Sequence, residues 1–359
     1  MKYFTFVVIG ICFSLSSYCQ VVKGIVLDKP TGNPIGFASV YFDGSTVGTI
    51  TDQNGFFKID ISKHLSVPLI ISALGYYSTT VQSPSEETNY EIRLTPKTYD
   101  LGEVVISSKS TRKGRVQRKR NLELFSQQFL GNTMNAKKCE ILNSDDISFK
   151  LCSSSGKETT LAGELKVTND TLKAFASCPI IVVNRSLGYK LTFFLDRFEY
   201  SSRTNDLVKV GITELAIDGH VLFEELTAKD QKEQMLFEKK RKSAFLGSRM
   251  HFIRSLYENK LDSAGFKISG LKNDRIMSEG PVIEKDSLIS ALQVKYIKSS
   301  GDGFAISYYS KSPSSFLLLN KGFLLLNRNQ ILNPAEISWL GEISIQRIGD
   351  LLPDDYELK

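Results

Sequence analysis

Between Val22 and Leu94 the chain consists of seven short β-prone runs, each closed within a few residues by Gly, Pro, Asn or Asp. They are Val22 to Leu27, Phe37 to Phe42, Thr46 to Thr51, Phe56 to Ile61, Leu69 to Leu74, Tyr76 to Gln82 and Tyr90 to Leu94. Short strands at this spacing, with turn signals between them, predict an antiparallel β-sandwich. Thr51-Asp52-Gln53-Asn54-Gly55-Phe56 reads as a hairpin turn, because Asp52 can accept backbone N–H bonds and Asn54-Gly55 tolerates positive φ. A calcium loop would need ligands spread over twelve positions and a distal Glu, which are missing.

Ahead of this module, Met1-Lys2-Tyr3 and the apolar run Phe4 to Leu15 have the form of an export signal, too short for a comfortable bilayer span. Ser17 and Cys19 place the expected cleavage before Gln20; lipidation of Cys19 fits less well, because Tyr18 occupies the place of a small residue. Three cysteines then remain, Cys139, Cys152 and Cys178, without a C-x-x-C pair. An odd number leaves at least one thiol unpaired; one disulfide and three buried thiols both stay open.

The net charge of +6 is mostly local. Lys109, Arg112, Lys113, Arg115, Arg118, Lys119 and Arg120 fall between Ser107 and Arg120 with no acid among them, and the rest of the chain is near neutral. This stretch reads as a solvated basic linker, with attachment to an anionic lipid surface as the functional alternative. Nucleic acid is a poor partner for it, since no aromatic residues are interleaved for stacking.

In the remainder, Asn121 to Leu130 has helical spacing. Ile147 to Cys152, Thr159 to Thr168, Leu172 to Ala176, Ile180 to Asn184, Tyr189 to Tyr200 and Leu207 to Ile217 alternate as strands, with Asn169-Asp170 and Asp218-Gly219 as turns. Lys229 to Leu261 reads as one long amphipathic helix, broken near Gly247, with Leu246, Met250, Ile253, Tyr257 and Leu261 as its apolar stripe. Strands resume after Ala291, with Gly301-Asp302-Gly303 as a hairpin turn and the leucine runs at 317–319 and 324–326 as buried pieces.

Motifs for chemistry are missing. His64, His220 and His251 are followed three positions later by Val67, Phe223 and Arg254, so no H-x-x-E zinc pair exists. There is no G-x-S-x-G elbow, Walker A loop or dinucleotide fingerprint. The acid pairs Asp145-Asp146, Glu224-Glu225 and Asp354-Asp355 are adjacent and diverge in a strand. The candidate binding residues are His251, Arg254 and Tyr257, one helical turn apart, together with Asn184. Packing of a helix on a sheet explains the same three residues. No catalytic residue, metal ligand or cofactor is expected.

Gly24, Val26, Pro34, Ala38, Val40, Gly48-Thr49, Thr51-Asp52, Gly55, Phe57 and Leu74-Gly75-Tyr76 together resemble the carboxypeptidase regulatory-like domain, whose fold is similar to transthyretin. Leu101 to Ile106 resembles the segment with which TonB-dependent receptors of the Bacteroidota leave that domain, although no plug or long barrel follows. Phe129-Leu130-Gly131, Asn184, Leu187-Gly188-Tyr189, Arg241, His251-Phe252, Arg254 to Tyr257 and Leu351-Leu352-Pro353 resemble the companion region of secreted Bacteroidota proteins bearing this domain. Cys178 and Asp354 depart from it, where an acid and an aromatic are expected.

The resulting expectation is a mainly β protein. Residues 1–19 are a signal peptide, 20–106 a transthyretin-like, Ig-like β-sandwich and 107–120 a basic linker. Residues 121–359 are a β-rich α+β domain with one long amphipathic helix. Its expected role is a non-catalytic exported binding or scaffolding protein at the periplasmic face of the outer membrane, with an envelope protein or glycan as partner. The rivals are a hydrolase of envelope polymer using acids such as Glu225 or Asp196, and an accessory of TonB-linked uptake.

Overall fold

A computed structural model describes residues 20–62, 67–82, 84–85, 89–97, 112–160, 163–205, 212–273, 275–277, 282–289, 292–299, 301–310 and 312–358. The expected signal, His64, the Leu101 to Ile106 segment and the first part of the expected linker lie outside them.

All seven runs of the first module are strands: β1 (Val21–Asp28), β2 (Ser39–Phe42), β3 (Gly48–Ile50), β4 (Phe56–Asp60), β5 (Leu69–Ser72), β6 (Thr79–Val81) and β7 (Asn89–Leu94). They form two sheets, β4-β1-β7 and β3-β2-β5-β6. Alternate residues face inward, so Val22, Val26, Phe57, Ile59, Ile92 and Leu94 meet Val40, Phe42, Leu69 and Ile71 in one core. Each such side chain stabilises the fold by about 1.5–3 kcal/mol when fully buried. One pairing departs from the antiparallel expectation, since β7 runs parallel to β1. The chain returns to that sheet after passing through the other one, and a crossover delivers a strand in either direction, whereas a hairpin delivers only the antiparallel one.

Helix α1 (Arg112–Leu130) starts inside the expected basic linker. Its Phe125 and Phe129 are fully buried on a six-stranded sheet, with ring centroids 4.7 Å from Phe198 and 5.1 Å from Phe193 respectively. Arg118 is drawn down as well, donating to the carbonyls of Ile147 (2.8 Å) and Ser144 (3.0 Å). The sheet contains β8 (Cys139–Ile141), β9 (Ile147–Thr160), β10 (Gly163–Ala176), β11 (Ile180–Asn184), β12 (Tyr189–Asn205) and β13 (Ile212–Glu225), in the order β8-β11-β12-β10-β9 with β13 also on β12.

Two expected turns are absent. Strand β10 runs straight through Asn169-Asp170, paired on both sides, and β13 runs through Asp218-Gly219 opposite a bulge in β12, where Asp196 is the extra residue between Leu195 and Arg197. Gly219, at φ 155° and with the Phe194 carbonyl 2.3 Å from where a Cβ would stand, is there for the bulge.

The long helix is two helices, α2 (Gln231–Phe245) and α3 (Arg249–Tyr257). Asp230 caps the first through the Glu233 N–H, and Ser248 caps the second through the His251 N–H. Between them Gly247 takes φ 77°, and a Cβ there would stand 2.8 Å from the Tyr308 ring. Both the conformation and the contact require glycine.

The rest forms β14 (Phe266–Lys272), β15 (Arg275–Ile276), β16 (Val282–Ile289), β17 (Leu292–Lys298), β18 (Gly303–Tyr308), β19 (Ser315–Leu319), β20 (Phe323–Leu326) and β21 (Ile337–Gly341). These make the sheets β15-β14-β18-β19-β21 and β16-β17-β20. Gly301 to Gly303 therefore closes no hairpin, but passes the chain from one sheet to the other. The leucine runs likewise fall in different sheets, each alternating inward. Residues beyond α1 thus pack around two cores: one joins α1 to the six-stranded sheet, and the other joins Phe252 and Leu256 of α3 to Phe266, Ile297, Phe304, Leu317 and Leu324. Among the described residues, no helix is long and apolar enough to cross a membrane.

Candidate functional site

A half-open cleft of about 330 Å³ lies where these two cores meet. Junctions between packed units are a common place for ligand sites. Phe266 of β14 and Ile306 and Tyr308 of β18 form an apolar wall, joined by Leu246 at the helix break and by Ile343 and Ile345 after β21. Thr133, Asn135 and Asp350 enter from the first core, and Ser314, Ser315, Glu342 and Gln346 from the second.

Asp350 is the best-defined polar group. Its Oδ1 accepts from Thr133 Oγ1 (2.8 Å) and Asn135 Nδ2 (3.0 Å), whereas its buried Oδ2 has no partner among the described residues. Burial raises the carboxyl pKa, and the two hydrogen bonds pull it back. Arg249 holds the opposite side. It donates from Nε to the Ile343 carbonyl (3.0 Å) and from Nη2 to the carbonyls of Ser344 and Gln346 (3.2 Å each). Burial and the Arg347 charge lower its pKa to about 10, so it remains a cation at neutral pH.

Of the residues singled out from the sequence, His251 and Asn184 bond residues in or next to this cleft, whereas Arg254 and Tyr257 engage other parts of the fold. His251 accepts the Gly247 N–H at Nδ1 (3.1 Å), so its proton sits on Nε2 when the ring is neutral. Its ring packs on Phe245, Phe266 and Tyr308, with centroids 4.8, 5.0 and 5.8 Å away. Burial, and then the Arg254 charge, lower its pKa and favour that neutral form. Asn184 donates to the Gly349 carbonyl (2.9 Å) and accepts from the N–H groups of Ser186 and Leu187, fixing the turn that carries Asp350. Arg254 ties down residues 354–356, donating to the carbonyls of Tyr356 (2.6 Å) and Asp354 (2.8 Å) and to Asn329 Oδ1 (3.1 Å). Tyr257 faces the Lys295 ammonium, 5.2 Å from its ring centroid.

The rival acids lie elsewhere. Glu225 pairs with Arg241 (3.2 Å), whose guanidinium is stacked 4.0 Å from the Tyr189 ring. Asp196 stands 3.8 Å from His220 Nε2, at the junction of the first module with the six-stranded sheet. The other nitrogen of His220 meets Asp43 Oδ2 at 2.8 Å, and Asp43 Oδ1 accepts the Val221 N–H at 2.9 Å. The loop after β2 is also bonded through Gly44 to the Val221 carbonyl (2.8 Å) and to the Asp354 N–H (2.6 Å), and Asp355 accepts from the Thr46 N–H (3.3 Å). Tyr41 stacks on Phe194 with centroids 5.3 Å apart. All three shifts here are upward: the Asp43 bond raises His220 and favours its cation, whereas burial raises Asp196 and pushes Asp354 to about 7, favouring their neutral forms.

Sequence reasoning missed the cleft itself, Asp350 above all, because its lining comes from separate stretches of chain and no spacing links them. The described cysteines are free thiols and only half-buried, with Cys178 bonded to Asp146 (3.1 Å) and Cys139 pushed up to about 12 by burial. Neither is activated as a nucleophile. Among the described residues, no three of His, Cys, Asp and Glu gather as metal ligands.

Residues 22–106 match the CarboxypepD_reg-like domain family, so the first module is a domain of that kind. No curated protein matches the chain. Matching solved structures include a candidate carbohydrate binding protein from Bacteroides uniformis, 9% identical over 57% of this chain and 98% of that one, with a TM-score of 0.18. A candidate membrane-associated protein of unknown function from Bacteroides fragilis is 10% identical, over 86% of this chain and 93% of that one, with a TM-score of 0.17. A 9R-lipoxygenase from Cyanothece is 11% identical, over 66% and 48%, also at 0.17. Scores this low carry no argument about fold or activity.

Proposed function

We propose that this is a non-catalytic, exported binding or scaffolding protein, working at the periplasmic face of a Gram-negative outer membrane and holding its ligand in the cleft between the two cores. The observation that carries the reading is the cleft's construction. Its polar groups are fixed by a surrounding set of buried supports, Arg249, His251 and Asn184, which preorganise a concave surface without assembling a nucleophile and base. The export-like first residues and the CarboxypepD_reg-like domain support the location. Helix α1 gives the basic run a shape that suits peripheral attachment to anionic lipid, with Arg112, Lys113, Arg115, Lys119 and Arg120 all exposed. The accessory-to-uptake reading rests on Leu101 to Ile106, outside the described residues.

The test is in-cell crosslinking of the tagged mature chain, with mass spectrometry of what is retained, run beside the Ile345→Glu variant. Capture of an envelope component that the variant loses supports the reading. Capture unchanged by the variant removes the cleft from it. A hydrolase remains the second reading, because Glu342 lines the same cleft as Asp350, whose carboxyl is held toward its protonated form. Turnover of a captured polymer, abolished in Glu342→Gln, would establish it.

A further inference from the structure

The lining of the cleft is specific enough in chemistry to name a class of ligand, and this inference rests on the binding reading just given. Its polar set consists of two carboxyl groups (Asp350, Glu342), two amides (Asn135, Gln346) and the hydroxyls of Thr133, Ser243, Ser314 and Ser315. No Lys, Arg or His is among the lining residues. The guanidinium groups nearby are already engaged: Arg249 with the carbonyls of Ile343, Ser344 and Gln346, and Arg347 with those of Ser344 and Gln346. An anionic ligand would therefore meet the two carboxyl groups directly, with the guanidinium groups set behind the carbonyls they bond. A ligand rich in donors would meet acceptors throughout, with amides and hydroxyls able to return bonds to its oxygens.

The wall opposite is apolar and partly aromatic, made by Phe266, Ile306 and Tyr308 with Leu246 and Ile345 beside them. Leu246 and Ile345 keep 38% and 59% of their surface exposed, so apolar surface is left open beside the polar groups. A further ring stands next to Tyr308. Tyr309 is 77% exposed at φ 46°, a conformation uncommon for an aromatic residue, and its ring lies 4.8 Å from that of Tyr308. It is seated rather than loose, because its N–H bonds the Gly265 carbonyl (2.9 Å) and its ring fills the space a Gly265 side chain would occupy. Lastly, Asp350 Oδ2 is a buried acceptor in want of a donor, and leaving such an atom unpaired costs about 1–3 kcal/mol.

We infer that the cleft takes a hydroxyl-rich saccharide without acidic groups, whose hydroxyls bond Asp350, Glu342, Asn135 and Gln346 while one face of its ring lies against Tyr308, Leu246 and Ile345. A lipid tail would leave the polar side unpaired, and a phosphate, sulfate or uronate would set its charge directly against Asp350 and Glu342. A peptide shares some of these features and is an outcome of the test.

The test titrates the mature full-length chain by calorimetry with four probes: chitobiose in its N,N′-diacetylated form, its deacetylated counterpart as the free amino sugar, digalacturonate and tetra-alanine. Chitobiose and the amino sugar should bind, with digalacturonate at least ~10-fold weaker. Asp350→Asn should weaken both by ~10-fold, in line with loss of a hydrogen bond to a charged group. Because Asp350 also holds Thr133 and Asn135, the exposed changes Glu342→Gln and Tyr309→Ala serve as variants that leave folding intact; each should weaken binding by a few fold, with Glu342→Gln acting more on the amino sugar. Tighter binding of digalacturonate or of the peptide, or no saccharide binding at millimolar concentration, overturns the ligand class. If that happens while crosslinking in cells still captures a component lost in Ile345→Glu, the cleft reading survives without the sugar. If Ile345→Glu loses nothing in cells, the cleft reading itself has failed.

Discussion

Two histidines sit at two junctions of this molecule, and they are treated in opposite ways. His220 joins the first module to the six-stranded sheet and lies between two carboxylates, Asp43 at 2.8 Å and Asp196 at 3.8 Å. His251 lies behind the cleft, among Phe245, Phe266 and Tyr308, with Arg254 as the charge that acts on it. The first ring is held toward its cation and the second toward its neutral form. One junction is thus an electrostatic clasp whose strength depends on protonation, and the other is a packed seam that favours the neutral ring.

The largest effect should come from the residue that links the two junctions. Arg254 lowers His251 and also fixes Asp354 and Tyr356, which border the first module. Arg254→Ala leaves buried carbonyls without donors and should destabilise the fold by about 3 kcal/mol, measured by chemical denaturation. Hydrogen exchange should show the loss concentrated in residues 352–358, and an unchanged exchange pattern there would break the link.

His251→Leu should cost about 1–2 kcal/mol by stranding the Gly247 N–H, and it should also remove a pH dependence. His251 has a folded pKa below its ordinary 6.5, so its contribution is present above pH 6.5 and is lost as pH falls through the lowered value. The wild-type cleft region should therefore loosen in acid, and the variant should not.

Asp43→Asn probes the other junction, at about 1 kcal/mol near pH 6. The sign reverses there. His220 has a folded pKa above 6.5, so its contribution is full below pH 6.5 and fades as pH rises through the raised value. Asp354 adds in the same direction, because a buried carboxyl at about 7 becomes unfavourable as pH climbs from the usual carboxylate range toward 7. The charges facing this pair are Asp43, Asp196, Asp355 and Arg254, with Lys97 and Asp218 acting on Asp196. Proteolysis between the module and the sheet should accelerate from pH 6 to pH 8 in the wild type, and in Asp43→Asn that trend should weaken to the part that Asp354 supplies. Smallest of all, Lys157→Ala, which removes an exposed ion pair with Glu164 at 2.8 Å, should change stability by less than about 0.5 kcal/mol at any pH.

How much of this the sequence disclosed follows from where each signal is stored. The module was legible because its strands are short and its turns carry their own chemistry: Asp52 Oδ1 accepts from the N–H groups of Asn54 and Phe56, both at 2.9 Å. The helix break was legible for the same reason, with Gly247 followed by the Ser248 cap. Asn169-Asp170 misled because β10 is paired on both sides there, and Asp218-Gly219 because β13 continues along β12 past a bulge: neighbouring strands supply the backbone bonds that turn-forming residues would otherwise interrupt. The parallel β1–β7 pair was hidden because hydrophobic alternation is the same in either direction. His251, Arg254 and Asn184 were found as polar residues in apolar surroundings, yet their roles point inward as supports. Asp350 gave no signal, since Thr133 and Asn135, the partners that define it, lie 217 and 215 residues away.

The loop at residues 43–46 is held from one side by His220 and Val221 and from the other by Asp354 and Asp355, the last of these 309 residues downstream of Thr46. On a ribosome, the module is delivered 309 residues ahead of the Asp355 that helps to fasten it. The module's core is made only of its own residues, so it can form early and then wait, unfastened, while the rest of the chain arrives. Until His220 follows, 177 residues on, Asp43 stands in the loop without its partner, and a charge in that place opposes burial of the waiting surface against anything apolar.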